Sequence, residues 1–180
     1  FDNRLRLGVT AFHTEFEDLQ GQTTVVRPNG DINFALFSAG TAITKGVEID
    51  FTAKPTPNLL LNGGIAYIDA TFDDYPVAQC YPGQTPAQGC VGGTQDLSGE
   101  QINNAPEWKF TFQGRYDIQL DASFGMYVSA TYRWQDESPN ELNNNPATWR
   151  DSYGVLDFVV GAESNDGRWS ANIFVKNALD

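Results

Sequence analysis

ITKGVEIDFTA (43–53), KPTPN (54–58) and LLLNGGIAY (59–67) form the stretch whose reading decides the fold. In the first arm Ile43, Val47, Ile49, Phe51 and Ala53 take odd positions, with Thr44, Gly46, Glu48, Asp50 and Thr52 between them. A period of two is the mark of a strand with one apolar and one polar face. The prolines of KPTPN cannot donate to a ladder, so the chain is expected to turn there. The second arm resumes the alternation with Leu59, Leu61, Ile65 and Tyr67.

Working outward, the same pattern recurs. A first strand is expected over 4–25, a second over 31–53 after an Arg27-Pro-Asn-Gly30 turn, and a third over 59–72. A fourth places Trp108, Phe110, Phe112, Tyr116 and Ile118 opposite Lys109, Thr111, Gln113, Arg115 and Asp117. The fifth begins near Phe124, the sixth near Leu156 and the seventh at Trp169. Tight turns near Thr56, Asp121 and Asp166 alternate with long connections at 73–100 and 136–150 and a short one at Asn29. Short turns at one end and long loops at the other predict an all-β, antiparallel up-and-down transmembrane β-barrel segment, with about seven strands of a larger barrel. The aromatic residues support this. Phe51, Tyr116, Phe124 and Trp169 are expected near one membrane boundary, and Tyr67, Trp108, Tyr132, Trp134 and Tyr153 near the other, in contact with outer-membrane lipid. The alternative is a soluble carbohydrate-binding or adhesion β-sandwich, in which the apolar faces would lie in a protein core. A passive porin is a third possibility.

The 180 residues form one expected domain, 1–180, with the loops at 73–100 and 136–150 on the extracellular side. The net charge of -12 makes nucleic acid an unfavourable partner. No run approaches the length of a transmembrane helix. The chain opens at Phe1 without a basic-then-apolar leader, so a signal peptide is expected to lie outside this segment or to have been removed. Cys80 and Cys90 sit in one Gly/Pro/Gln-rich stretch, which fits a disulfide formed in an oxidising compartment; two free thiols are the alternative.

No nucleophile–base arrangement, phosphate loop or zinc motif is present, so no enzyme, metal site or cofactor is expected. His13 reads as a rim residue. Asp69, Asp73 and Asp74 read as a solvated acidic rim, since their spacing lacks a calcium-loop pattern. Aromatic and hydrogen-bonding groups in the long loops make Tyr75, Tyr81, Gln101, Asn103, Trp149 and Arg150 the candidate ligand contacts. Arg115 and Arg133 are expected to pair with acids inside the barrel or with a plug.

TKGVEIDFTAKPTPNLLLNGGIAYIDATFDDY (44–75), LSGEQINNAPEWKFTFQGRYDI (97–118) and SANIFVKNALD (170–180) resemble the C-terminal barrel of TonB-dependent receptors. The resemblance implies a barrel of about 22 strands. It also implies a plug domain, a TonB-contacting segment and a bacterial outer-membrane location. The function implied is import of a scarce small ligand, whether a metal chelate such as a ferric siderophore, cobalamin, or a glycan such as an oligosaccharide. TonB would transmit the proton-motive force that drives it. The plug and the family's aromatic last residue are not in these 180 residues, so a fragment of a larger barrel is expected.

Overall fold

The computed structural model describes residues 4–26, 31–38 and 40–180. Seven strands form one antiparallel sheet: β1 (Leu5–Phe16), β4 (Thr41–Thr56), β5 (Leu59–Asp74), β8 (Trp108–Gln119), β9 (Phe124–Gln135), β10 (Tyr153–Ser164) and β11 (Ser170–Val175). Each pairs with its neighbour in that order, as hairpin connections require. Two small sheets stand apart, β2 (Gln20–Val26) with β3 (Ile32–Ser38), and β6 (Ala78–Gln79) with β7 (Thr94–Gln95). The only helical turns among the described residues are two three-residue 3-10 pieces, Pro86–Gln88 and Pro146–Thr148. Among the described residues no helix is long and apolar enough to cross a membrane, which says nothing of a chain that crosses with strands.

The register converts the period-two pattern into two continuous surfaces. Val9, Ile49, Ile65, Phe110 and Trp134 are cross-strand partners in one row. A neighbouring row on the other face runs Arg6, Thr52, Asn62, Gln113, Thr131 and Asp157. The apolar face has no second layer: Ile65 is 47% exposed, Phe112 45% and Val160 43%. A soluble sandwich would have to cover these side chains with a second sheet, and neither small sheet does so. The sandwich alternative therefore falls, because water would meet the whole apolar surface.

Glycines pair with rings across strands. A Cβ on Gly161 would fall on the Tyr127 ring, one on Gly63 on Phe51, one on Gly154 on Tyr132, and one on Gly46 on the Tyr67 carbonyl as well as the Phe12 ring. Each ring fills the space its neighbour's missing side chain leaves, which helps hold the register.

Several boundaries differ from the sequence reading. The first strand does not run unbroken over 4–25. It stops at Phe16, and Asp18 takes a φ of 53° before β2 begins. The second is split likewise at Gly40, whose φ is 69° and whose missing Cβ leaves room for the Asp74 carbonyl. The Leu19 N–H donates to the Gly40 carbonyl (3.0 Å), joining the two breaks. The two prolines of KPTPN do not act together. Pro55 lies inside β4, at a register shift between Ala53 and Thr56, where a missing N–H costs no ladder bond. Only Pro57 and Asn58 form the turn, closed by the Thr56–Leu59 pair. The Arg27-Pro-Asn-Gly30 turn lies outside the described residues.

Candidate functional site

The first long connection, a loop over 73–100 in the sequence reading, spans 75–107 between β5 and β8. It is a folded body. Its return leg lies beside the upper end of β5: Phe72 N–H donates to the Glu100 carbonyl (3.0 Å) and Ile102 N–H to the Ala70 carbonyl (2.9 Å). Its hydrophobic cluster is Ala42, Phe72, Tyr75, Ala78 and Leu97, against which Leu19, Ile102 and Leu142 pack. Ala42 and Phe72 have the same strand parity as Thr52 and Asn62, so the cluster rests on the polar side of the sheet. The loops fold over the end of that surface.

Of the candidate contacts, Tyr75 is buried, 2% exposed, with its ring 5.0 Å from that of Phe72. Burial pushes its phenol up to about 12. Tyr81 is half-buried beside the disulfide, and its N–H donates to Gln84 Oε1 (3.1 Å). Gln101 sits opposite Thr71 and donates to the Ala105 carbonyl (2.7 Å). Asn103 is half-buried in the same return leg. Trp149 donates from Nε1 to Asn144 Oδ1 (2.9 Å), and the exposed Arg150 donates to Asn140 Oδ1 (3.0 Å).

The two loops are joined. Gln95 donates to the Asn143 carbonyl (2.7 Å), Asn144 to Glu100 (3.2 Å), and Asn104 N–H to the Pro139 carbonyl (2.8 Å). Reading the sequence for periodicity missed this body, because its apolar residues come from irregular backbone. The one available signal was a handful of apolar residues, among them Ala78, Leu97 and Ile102, inside a Pro/Gly-rich segment that also holds a cysteine pair.

Cys80 and Cys90 are disulfide-bonded, with Cα atoms 5.8 Å apart. The bond closes a knob beyond β6 and β7. Closing a loop of this size is worth roughly 3 kcal/mol. That stabilisation is local, because β6–β7 pairing and the Gln95–Asn143 bond hold the base independently. Reduction is expected to open 81–89 to protease while the strands stay protected. Limited proteolysis with and without reductant, read by mass spectrometry, checks this; cleavage inside β5 or β8 after reduction would contradict it. Nearby, hydrogen bonds from the Ser98 hydroxyl and backbone N–H hold the Asp96 carboxyl below the usual carboxylate range.

Beneath the loops, the polar face forms an open groove of about 630 Å³, lined by Arg6, Asp50, Thr52, Asn62, Gln113 and Arg133, among others. Of its charged lining residues, Arg133 is held in an ion pair, and Arg115, on the same face, is held in two. Arg115 reaches Asp117 (2.8 Å) and Glu163 (3.1 Å) and stacks 3.9 Å above the Tyr127 ring. Arg133 reaches Asp157 (2.6 Å), whose other oxygen accepts from the Asn177 N–H (3.0 Å). Both arginines thus meet acids of the same face, as their alternation with apolar neighbours implied.

The aromatic residues of the opposite face fall into groups. Tyr67–Trp108 (4.9 Å), Phe110–Trp134 (5.2 Å) and Phe110–Tyr132 (5.7 Å) lie toward the long loops. Phe124–Trp169 (6.4 Å) lies at the tight turns, with Tyr116 half exposed on β8. Phe51 contacts Phe112 (6.2 Å) and shares a register row with Tyr132. Above the first group, Lys45 and His13 stand on this same face, paired with Asp69 (3.1 Å) and Glu15 (3.1 Å). Asp73 accepts from the Thr41 hydroxyl (3.2 Å). Among the described residues, no group of three or more His, Cys, Asp or Glu stands where it could hold a metal ion.

No curated protein sequence matches the chain. Among solved structures, the siderophore receptor PiuA from Acinetobacter baumannii aligns with a TM-score of 0.67 at 21% identity, covering 100% of this chain and 22% of that one. The ferric-catecholate import receptor Fiu from E. coli K12 aligns at 0.60 and 22% identity, covering 99% and 21%. BauA, the ferric preacinetobactin receptor from Acinetobacter baumannii, aligns at 0.62 and 14% identity, covering 98% and 23%. The chain therefore spans about a fifth of the length of the solved structures it matches. The family described as TonB dependent receptor-like, beta-barrel matches residues 1–178. A seven-strand up-and-down sheet, apolar on one face and polar on the other, is what that match requires, and the chain belongs to this TonB-dependent receptor β-barrel family.

Proposed function

We propose that the chain is a wall-and-mouth sector of a bacterial outer-membrane receptor. The receptor imports a scarce ligand (a ferric siderophore, cobalamin or an oligosaccharide) using proton-motive force transmitted by TonB. The observation that carries this reading is the two-loop body folded over the end of the polar face, which suits capture at a mouth followed by passage along a polar wall. The structural neighbours described as a ferric-catecholate import receptor, a siderophore receptor and a ferric preacinetobactin receptor support the same direction. In this reading the apolar face with its aromatic groups meets lipid, and the long loops, 73–100 and 136–150 in the sequence reading, face the exterior. The polar groove at Thr52, Asn62 and Gln113 faces a plug, whose own contact with TonB lies elsewhere in the receptor. Tyr81, Gln101, Asn103, Trp149 and Arg150 are the proposed contacts. Tyr75 acts behind them, as the residue on which the loops pack.

The test is uptake of candidate ligands by cells carrying the full receptor, with and without a protonophore and with and without TonB. Uptake is expected to stop in both de-energised conditions. Uptake that continues unchanged would point to a passive channel and overturn the reading.

A further inference from the structure

The apolar face of the sheet is almost free of charge. Among its residues, none is acidic or basic from Leu5 to Ala11 on β1, from Val47 to Ala53 on β4, from Leu59 to Tyr67 on β5, or anywhere on β8 to β11. The acidic and basic exceptions are His13 and Glu15 on β1, Lys45 on β4, and Asp69 and Asp73 on β5, all at the loop ends of three adjacent strands. His13, Lys45 and Asp69 are cross-strand partners in a single row. The next row of the same face, one step toward the tight turns, is Ala11, Val47, Tyr67 and Trp108, where the two rings pack 4.9 Å apart. Lys45 Nζ lies 3.1 Å from Asp69 Oδ2, and His13 Nε2 lies 3.1 Å from Glu15 Oε1. These pairs leave donors over. An ammonium has three N–H groups and Lys45 uses one, while His13 keeps Nδ1. The side chains of Lys45 and His13 are 56% and 55% exposed, so those donors are open to whatever covers this face.

We propose that this patch binds the phosphate of an outer-leaflet lipid headgroup, held by the free N–H donors of Lys45 and His13, with the acyl chains lying along Val47, Ile49 and Ile65. The inference rests on the lipid-facing reading above and deepens it by naming the residues that meet the headgroup. A charged side chain among acyl chains is strongly disfavoured, so the lipid boundary crosses β1, β4 and β5 between the Tyr67–Trp108 row and the Lys45 row. Tyrosine and tryptophan rings settle at that same boundary. The stem of a lysine lies on apolar surface and lifts its ammonium to the headgroups. Lys45 and His13, as direct partners on adjacent strands, place two donor groups about 5 Å apart along the backbone spacing, within reach of one phosphate. Asp69 and Glu15 each hold one of the two side chains above the apolar band and keep the patch close to neutral.

The experiment uses the full receptor in a maltoside detergent, titrated with two lipids of the same acyl chains: phosphatidylglycerol, and galactosyldiacylglycerol, which has no phosphate. Bound lipids are counted by native mass spectrometry. The expected result is a phosphatidylglycerol site whose affinity falls about tenfold in the Lys45→Gln/His13→Gln variant, with galactosyldiacylglycerol binding unchanged. Lys45→Arg, which keeps the charge and the donors, should retain the site. A second measurement does not depend on that variant. Spin labels at Ile43 and Val47, on either side of Lys45 along the same face, are read for oxygen and nickel-chelate access in phosphatidylglycerol vesicles. The label at 47 should meet oxygen and the label at 43 the nickel chelate. Equal binding of the two lipids, a phosphatidylglycerol count that the variant leaves unchanged, or a label at 43 sunk among the acyl chains overturns the headgroup site and leaves the import reading standing. Labels at 47 and 65 that both meet the nickel chelate as freely as the label at 43 remove the lipid-facing reading, and this inference with it.

Discussion

Replacing Tyr75 with alanine is expected to release both long loops from the strand wall. Tyr75 is the largest fully buried side chain in the described structure, and the cluster around it is made from four parts of the chain: Leu19 between β1 and β2, the ends of β4 and β5, the first loop, and Leu142 of the second. Removing a buried aromatic ring costs about 3–5 kcal/mol through lost burial and the cavity left behind. No other buried cluster at this end replaces it among the described residues. Hydrogen exchange of 75–107 and 136–152 should rise by two or more orders of magnitude, while β8 and β9 stay protected; the outcome that contradicts this is unchanged exchange in 136–152. Ligand affinity should fall with loop order.

The same residue predicts an alkaline transition. Its phenol is raised from 10.0 to about 12 by burial, so the closed loops hold the proton more tightly than the open ones. The contribution is complete below pH 10 and is lost as pH rises through about 12. Loop opening should therefore gain a pH dependence in that window, and Tyr75→Phe, which does not titrate, should lack it. The neighbouring strands provide the control.

Gly161→Val is expected to damage the wall itself. Gly161 is buried in β10, opposite Tyr127 of β9, and a Cβ there would fall on the Tyr127 ring. The ring has no simple escape, since Arg115 stacks on it at 3.9 Å while holding Asp117 and Glu163. Moving the ring disturbs that ion-pair group as well as the packing, for a cost of about 2–3 kcal/mol. The full receptor should refold less completely from urea in detergent or lipid, with a lower unfolding midpoint. Gly83→Val in the first loop, where nothing lies near the missing Cβ, tests the specificity of the effect on the wall, because its strain at a φ of 83° stays in the loop. Equal loss of refolding in both variants would show that the Gly161–Tyr127 contact is not the cause.

What could be read from the residues follows from the range of the forces involved. Alternation in 43–53 and 108–118 specifies strands, because successive side chains point to opposite faces and one face must find apolar surroundings. Seven such strands with tight turns at every second connection specify order and pairing, since antiparallel neighbours join by short links. The breaks within 4–25 and 31–53 leave no mark in the alternation, because backbone at positive φ, as at Asp18 and Gly40, interrupts a strand without disturbing its apolar pattern. The prolines of KPTPN misled in a related way, because a bulge accommodates Pro55 as well as a turn does.

The sequence by itself determined the local, periodic features: strand, face, pairing order and the family. It also determined the excess of negative charge, which composition alone contains. Only the tertiary structure decided that Tyr75 is a packing centre and that 75–107 and 136–152 form one body. Those features depend on contacts between residues far apart in the chain, such as Gln95 with Asn143 and Phe72 with Leu97, whose apolar and amide groups follow no period. A contact between irregular segments leaves no mark in the order of residues, because its geometry is set by the strands that bring the segments together.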